Sequence, residues 1–373
     1  MSTWLDLKNN PRLMKVYETR CEIIRLIREF FWAEGFVETD TPLAVRFPGQ
    51  EPYLNPIPLT IHDTRLRPGF DGQARGLEHR MYLHTSPEFS MKKLLAAGFE
   101  KIFQITKTFR DYESFGGNHN PEFTMIEWYR APGTYQDFMD DTERLFKFVG
   151  ARLKIKELRL KDYKIAVDQT WERASMRELW QKYVGVELNE FLELDKLVEL
   201  VKLRGYQVND GDTYDDLFFK IFLNEMEPKL GIEKPIFIYD YPAQMASLSR
   251  LCEHDPRYAE RVECYIGGLE LSNGFGELTD AEEQQKRLEN DRALRQKLGK
   301  ETWPVDPDFI AALRSGVPAN EISSDGPSSA SWRIGAAASA AGVAMGVDRM
   351  VVLFTGAKDI NEVIFDSVAD QLI

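Results

Sequence analysis

The chain has 373 residues, 43% of them hydrophobic and 29% charged, with a formal net charge of −13, which is enough for a large core in one or two domains. It has no apolar N-terminal run of the kind that directs secretion, and no apolar stretch approaches the roughly twenty residues that cross a bilayer. The acid excess argues against a broad nucleic-acid footprint, and Cys21, Cys252 and Cys264 show neither a CxxC pattern nor metal-ligand spacing, which fits a reducing cytoplasm and gives no reason to expect a zinc site.

Residues 12–35 carry Val16, Ile23, Ile27 and Phe30 with Ile24 and Phe31 beside them, a helical stripe that ends at Gly35. After it, GFVETDTPLA reads as a strand closing at Pro42, and MYLHT reads as another. Ser86, Pro87 and Glu88 form the N-cap and first turn of a helix running to about Gly98, since proline suits the first helical position and an acid suits the dipole. Capping alone would explain all three.

The stretch FRDYESFGGNHNPEFTMIEWYR, residues 109–130, is the most informative. Its second half reads as a strand, so Phe123, Met125, Glu127 and Tyr129 share one face while Thr124, Ile126 and Trp128 share the other. Four residues of strand span roughly 13 Å, enough to set an aromatic ring at one end of a site and an acid at the other. Taken alone, Phe123 could equally be core and Glu127 an exposed strand residue.

Further on, Phe191, Leu194, Val198 and Val201 make a helical face closed by Gly205, Leu217, Phe218, Ile221 and Phe222 make another, and KPIFIYDYP reads as a strand. In VECYIGGLELSNGFGELTD, residues 262–280, two glycines between apolar arms suggest a two-residue hairpin with Ile266 facing Leu269, Tyr265 facing Glu270 and Glu263 facing Ser272. That register puts Glu263 and Glu270 on one face at roughly 7 to 8 Å, a spacing that could hold a magnesium ion. A solvated acidic face is the alternative, but Asn273, Gly274 and Gly276 suggest irregular backbone close to a ligand. Residues 319–341 are rich in Ser, Ala and Gly and read as a flexible insertion, before GVAMGVDRMVVLFTG, a glycine-rich strand that turns into a helix.

These segments, in this order, resemble the three signature motifs of class II aminoacyl-tRNA synthetases of the lysine type, over nearly the whole chain from about residue 12. The resemblance implies an α+β fold: a class II catalytic core, an antiparallel β-sheet flanked by helices. It also implies ATP and Mg2+ as cofactors and a homodimer built on the first motif. By that resemblance Arg110 and Arg349 are the catalytic, phosphate-binding arginines, and His119, Phe123, Glu263 and Glu270 complete the ATP site, with Glu263 and Glu270 as metal ligands. Tyr112 stands where the family has a glutamate, so the adenine-contacting acid carries across to Glu113 with a one-residue shift. Ser86, Glu88, Arg110, Glu127, Tyr129, Asn273, Glu277 and Ala344 become the substrate-binding set.

Only about a dozen residues precede the first helix, so no N-terminal anticodon-binding OB domain is expected. The sequence most closely resembles the elongation factor P–lysine ligase family, paralogues of lysyl-tRNA synthetase, through the EWYR ending of the second motif, the ELSNGFGELTD hairpin and Ala344 in GVAMGVDR. That resemblance implies activation of lysine or β-lysine and transfer to elongation factor P. The competing readings are a truncated enzyme that charges tRNA and a regulatory paralogue that binds an amino acid without activating it.

Overall fold

Asn10 opens the first long helix by accepting from the amides of Arg12 and Leu13 through its side chain, and Pro11 follows at the first helical position. This helix, α1 (Pro11–Ala33), ends where Gly35 takes φ +79°. Val16, Ile23, Ile27 and Phe30 are buried as the periodicity predicts, and Leu13, Leu26 and Phe31 widen the stripe. Each such side chain contributes about 1.5–3 kcal/mol when taken out of water. The structure is a computed structural model and describes residues 3–67, 75–319, 331–333 and 339–371.

Among the described residues, eight strands form the central sheet: β1 (Val37–Glu38), β2 (Lys101–Phe109), β3 (Glu122–Arg130), β4 (Glu172–Ser175), β5 (Ile236–Pro242), β6 (Tyr258–Ile266), β7 (Leu269–Gly276) and β8 (Ala341–Gly346). Their spatial order is β1-β2-β3-β8-β7-β6-β5-β4. The six inner strands pair antiparallel, as expected, but β1 runs parallel to β2 and β4 parallel to β5, so the sheet is mixed. Helices α2 (Glu88–Ala96), α3 (Tyr135–Leu153) and α4 (Val347–Thr355) pack around it.

Alternation along β3 splits its residues as the sequence predicts. Ile126 and Trp128 join Phe103, Val262, Val343 and Met345 in the core against α1, α3 and α4. Phe123, Met125 and Glu127 line a cavity on the opposite face.

Three sequence expectations need correction. Glu263 pairs with Asn273, not Ser272, because a bulge between Cys264 and Tyr265 slips the β6–β7 register by one after the predicted Ile266–Leu269 and Tyr265–Glu270 pairs. Gly274 and Gly276 lie in regular strand; a Cβ at Gly274 would come 2.9 Å from the Phe138 ring, and one at Gly276 would meet the Glu260 side chain. Close packing, rather than a ligand, accounts for them. In the helix Leu194–Leu203 the buried residues are Leu197, Leu200 and Val201, while Leu194 is exposed, because Phe191 belongs to a separate 3-10 turn and sets no phase for the helix.

Of the expected insertion at 319–341, residues 320–330 and 334–338 lie outside the described residues. At its edges, Val317–Ala319 pairs antiparallel with Ser331–Arg333, and Ala341 already belongs to β8.

A buried charge ties these layers together. Arg20, on the core side of α1, ion-pairs with Asp348 in the first turn of α4, and its second terminal nitrogen donates to Thr124 Oγ1 at 2.8 Å. The other Asp348 oxygen accepts the Thr124 amide at 2.6 Å. Removing one partner leaves an uncompensated buried charge, which typically costs about 3–5 kcal/mol. Arg20→Leu should therefore lower unfolding free energy in urea by that amount, and Arg20→Leu/Asp348→Leu should recover much of the loss. A single-variant cost under about 1 kcal/mol would show that the pair does not hold the layers.

Candidate active site

The cavity above the sheet has a volume of about 350 Å³. Of the residues predicted from sequence, Ser86, Glu88, Arg110, Glu113, His119, Phe123, Glu127, Glu270, Asn273, Ala344 and Arg349 line it. Tyr129, Glu263 and Glu277 do not: Tyr129 bonds to Glu127, Glu263 acts on Glu270 through its charge, and Glu277 is paired with Lys92.

Arg110 follows β2 directly, and its guanidinium lies over the Phe123 ring at 5.1 Å. Arg349 is held in place by main chain: Nη1 donates to the Glu270 carbonyl at 2.6 Å and Nε to that of Asn118 at 3.4 Å. Between these arginines, the loop joining β2 to β3 carries Glu113 and His119, whose carboxylate and Nδ1 are 3.0 Å apart. The His119 hydrogen bond holds the Glu113 carboxyl below its usual range. Tyr112, with φ +61°, turns its ring out to solvent while Glu113 turns in.

This loop is moored from a distant part of the chain. The Gly117 amide donates to Asp359 Oδ2 at 2.7 Å, the Ile360 amide to the Gly117 carbonyl at 2.9 Å, and Asn120 to Asn361 at 3.0 Å.

The other end of the cavity is acidic. Glu127 accepts from Ser86 Oγ at 2.5 Å and from the Tyr129 hydroxyl at 2.7 Å. The helical N-cap position falls on Pro87, one residue later than expected; Ser86 still accepts the Glu88 amide at 3.0 Å while donating to Glu127. Burial, and then the charge of Glu88, push the Glu127 carboxyl up to about 8. Burial together with Glu263 raises Glu270, and burial also raises Glu51, which lines the same cavity.

Glu263 is already engaged, with Tyr241 and Tyr265 hydroxyls at 2.6 and 2.8 Å and Arg261 at 2.7 Å. Glu277 pairs with Lys92 Nζ at 2.5 Å, and the same ammonium donates to Glu88 at 2.5 Å. Lys92 is thus a site residue that sequence reasoning missed. Its i,i+4 spacing from Glu88 was a visible signal, but the reach to Glu277 was not. Glu51, Ser247 and Leu248 also line the cavity with no motif to mark them. On the cavity-lining residues, Arg110 Nε, Ser272 Oγ and Asn273 Oδ1 are buried with no hydrogen-bond partner among the described residues and are available to a ligand.

A mixed sheet bearing paired arginines on one hairpin and one strand-to-helix turn defines a class II synthetase core. Residues 1–320 match the family of class II tRNA synthetases (D, K and N). Within that class the chain belongs to the elongation factor P–(R)-β-lysine ligase family. It is similar to the elongation factor P–(R)-β-lysine ligases of Haemophilus influenzae (34% identity, 96% of this chain and 94% of the relative), Pseudoalteromonas translucida (37%, 92% and 93%) and Salmonella typhi (34%, 97% and 97%). Synthetase-type ligases use ATP, and no helix among the described residues is long and apolar enough to cross a membrane.

The raised Glu127 carboxyl has a cost that can be measured. Its folded value of about 8 exceeds the model-compound 4.5, so the unfolded chain releases this proton first as pH rises, and the ligand-free protein loses stability between those limits. Glu127→Gln should be more stable than the parent at pH 8, by roughly 1 to 4 kcal/mol, with the margin closing as pH falls toward 4.5. Urea unfolding at both pH values reads this directly. Equal stability at pH 8 would mean that the acid is not held against its charge.

Proposed function

We propose that this chain activates lysine, with (R)-β-lysine as the preferred isomer, as an aminoacyl adenylate, and passes the acyl group to a lysine side chain of elongation factor P. In this reading it is a cytoplasmic homodimeric ligase whose 373 residues form one catalytic domain. The observation that carries the reading is the division of a single cavity into a cationic end, Arg110 and Arg349, and an acidic end, Glu88 and Glu127. Such a cavity can take a polyanion and an ammonium-bearing amino acid side by side.

The residues fit ATP. Phe123 offers a ring for the base, the Glu113–His119 pair offers polar contacts beside it, and the unpartnered Arg110 Nε points to an anionic ligand. They also fit Mg2+, which would supply charge neutralisation at the phosphates, with Glu270 open to the cavity and Glu263 adding charge from behind.

Arg110 and Asn273 orient the substrate carboxylate. Its oxygen bonds to the α-phosphorus while the bond to pyrophosphate breaks, and Arg110 and Arg349 neutralise the charge that develops. Glu127, with Ser86 and Tyr129 bonded to its two oxygens, receives the substrate ammonium and gives up its own raised proton as it does so. Lys92 holds Glu88 and Glu277 in place through its ammonium. In the second step the acceptor amine attacks the acyl carbon and AMP leaves. Transfer to tRNA is not expected from a chain of net charge −13.

Pyrophosphate exchange with both lysine isomers is the direct test, followed by mass measurement of elongation factor P. Glu270→Gln should abolish exchange while the fold survives; unchanged exchange would remove Glu270 from the site.

Ala344 lies in register between Asn273 on β7 and Glu127 on β3. Trimming its methyl should shift discrimination by about 1 to 3 kcal/mol. Ala344→Gly should therefore gain at least about tenfold in α-lysine exchange relative to β-lysine. An unaltered isomer ratio would show that this methyl does not touch the substrate.

A further inference from the structure

Strand β5 slips register against β6 between Tyr239 and Tyr241, and the residue between them, Asp240, takes φ +59°. The bulge brings the Asp240 carboxylate against the segment that links β5 to β6, where Cys252 and His254 stand two residues apart. One ligating atom from each of the three residues can be chosen so that all lie within 4.8 Å of one another. Asp240 Oδ1 is 3.3 Å from Cys252 Sγ, and Asp240 Oδ2 is 3.2 Å from His254 Nε2.

Those separations suit a small tetrahedral ion. Zinc bonds of about 2.3 Å to sulfur and about 2.1 Å to nitrogen or oxygen, meeting at the tetrahedral angle, leave the donors roughly 3.4 to 3.6 Å apart. The donor set combines one sulfur, one imidazole nitrogen and one carboxylate, which zinc accepts and which magnesium or calcium does not.

The surroundings favour a cation as well. Asp240 and Cys252 are buried, and among the described residues no lysine or arginine pairs with Asp240. Arg173 and Arg177, which border the same surface cavity, are already paired with Asp140 and Asp255. The Tyr135 hydroxyl donates to Asp240 Oδ1 at 3.4 Å, the kind of outer contact that orients a metal ligand. His254 is 64% exposed and leaves an entry path from that cavity.

We propose that Asp240, Cys252 and His254 form a Zn2+ site with water as the fourth ligand. Its role is structural. The segment it would staple to β5 is the one that supplies Ser247 and Leu248 to the active-site cavity at its near end. The metal would add to the anchors this segment already has, among them the Arg250–Glu260 ion pair at 2.8 Å, the Leu251–Ala259 bridge and the hydrogen bonds from Arg287 to the Ser247 and Ser249 carbonyls. The metal would thereby hold one wall of the cavity without touching substrate.

The test uses the full chain, stripped of metal and titrated with Zn2+, then with Co2+ as a spectroscopic stand-in. The expected result is one equivalent per chain, with a cobalt–thiolate charge-transfer band. Cys252→Ser and His254→Ala should each weaken zinc binding at least tenfold and Cys252→Ser should erase the band, while Cys21→Ser leaves both unchanged. Circular dichroism confirms that each variant is folded; should Cys252→Ser fail to fold, His254→Ala, whose side chain is exposed, carries the test alone. No zinc binding by the parent chain, or binding equally tight in the folded variants, overturns the proposal.

Discussion

The buried Arg20–Asp348 pair sets the geometry on which the site depends. Its two ends belong to α1 and α4, and its third member, Thr124, belongs to β3. Asp348 and Arg349 are consecutive, about 100° apart around the helix, so fixing the first against Arg20 and Thr124 sets the direction in which the second enters the cavity. Thr124 and Phe123 are likewise consecutive on a strand, and anchoring Thr124 turns Phe123 toward the ligand face. One ion pair on the apolar side of the sheet therefore orients a cation and an aromatic ring on the functional side. A hydrophobic replacement could match its stability, but would not specify which way these neighbours face.

On the functional face the logic reverses, and charge is held without full compensation. Glu51, Glu127 and Glu270 are all raised by burial, in spite of Arg110, Arg261 and Arg349 near Glu270 and of Lys92, which is shared between Glu88 and Glu277. The acids stand in a place where their charge is disfavoured, and in the proposed reaction a cationic ligand would offset that cost. Perturbed carboxyls that cluster in a cleft lined by unpartnered polar atoms are what a prebuilt cation site requires.

How much of this could be read from sequence follows from which interactions are local. The faces of β3 were legible because alternation is a property of the strand itself, and α1 because its stripe follows the helical period. The hairpin glycines correctly marked the turn and the first two pairs, yet the bulge between Cys264 and Tyr265 leaves no mark in the sequence and moved Glu263 opposite Asn273. Arg20 looks like one more polar residue on an amphipathic helix; only the partner on α4, far along the chain, reveals it as buried. Lys92 reads as a partner of Glu88 and hides its second partner, Glu277, for the same reason. The site residues recovered from sequence are those that sit inside contiguous motifs, and those missed, such as Glu51 and Ser247, arrive from segments without one.

The mooring of the loop after β2 onto Asp359, Ile360 and Asn361 gives a late segment of the chain a place in the cavity wall. Ile360 is buried in the main core with Val363 and Ile364, so the loop is fastened to a segment that the core itself holds. Removing that segment would open the core and free the loop together. Residues 359–361 serve as a latch, gripped by the core on one side and by Gly117 and Asn120 of the loop on the other.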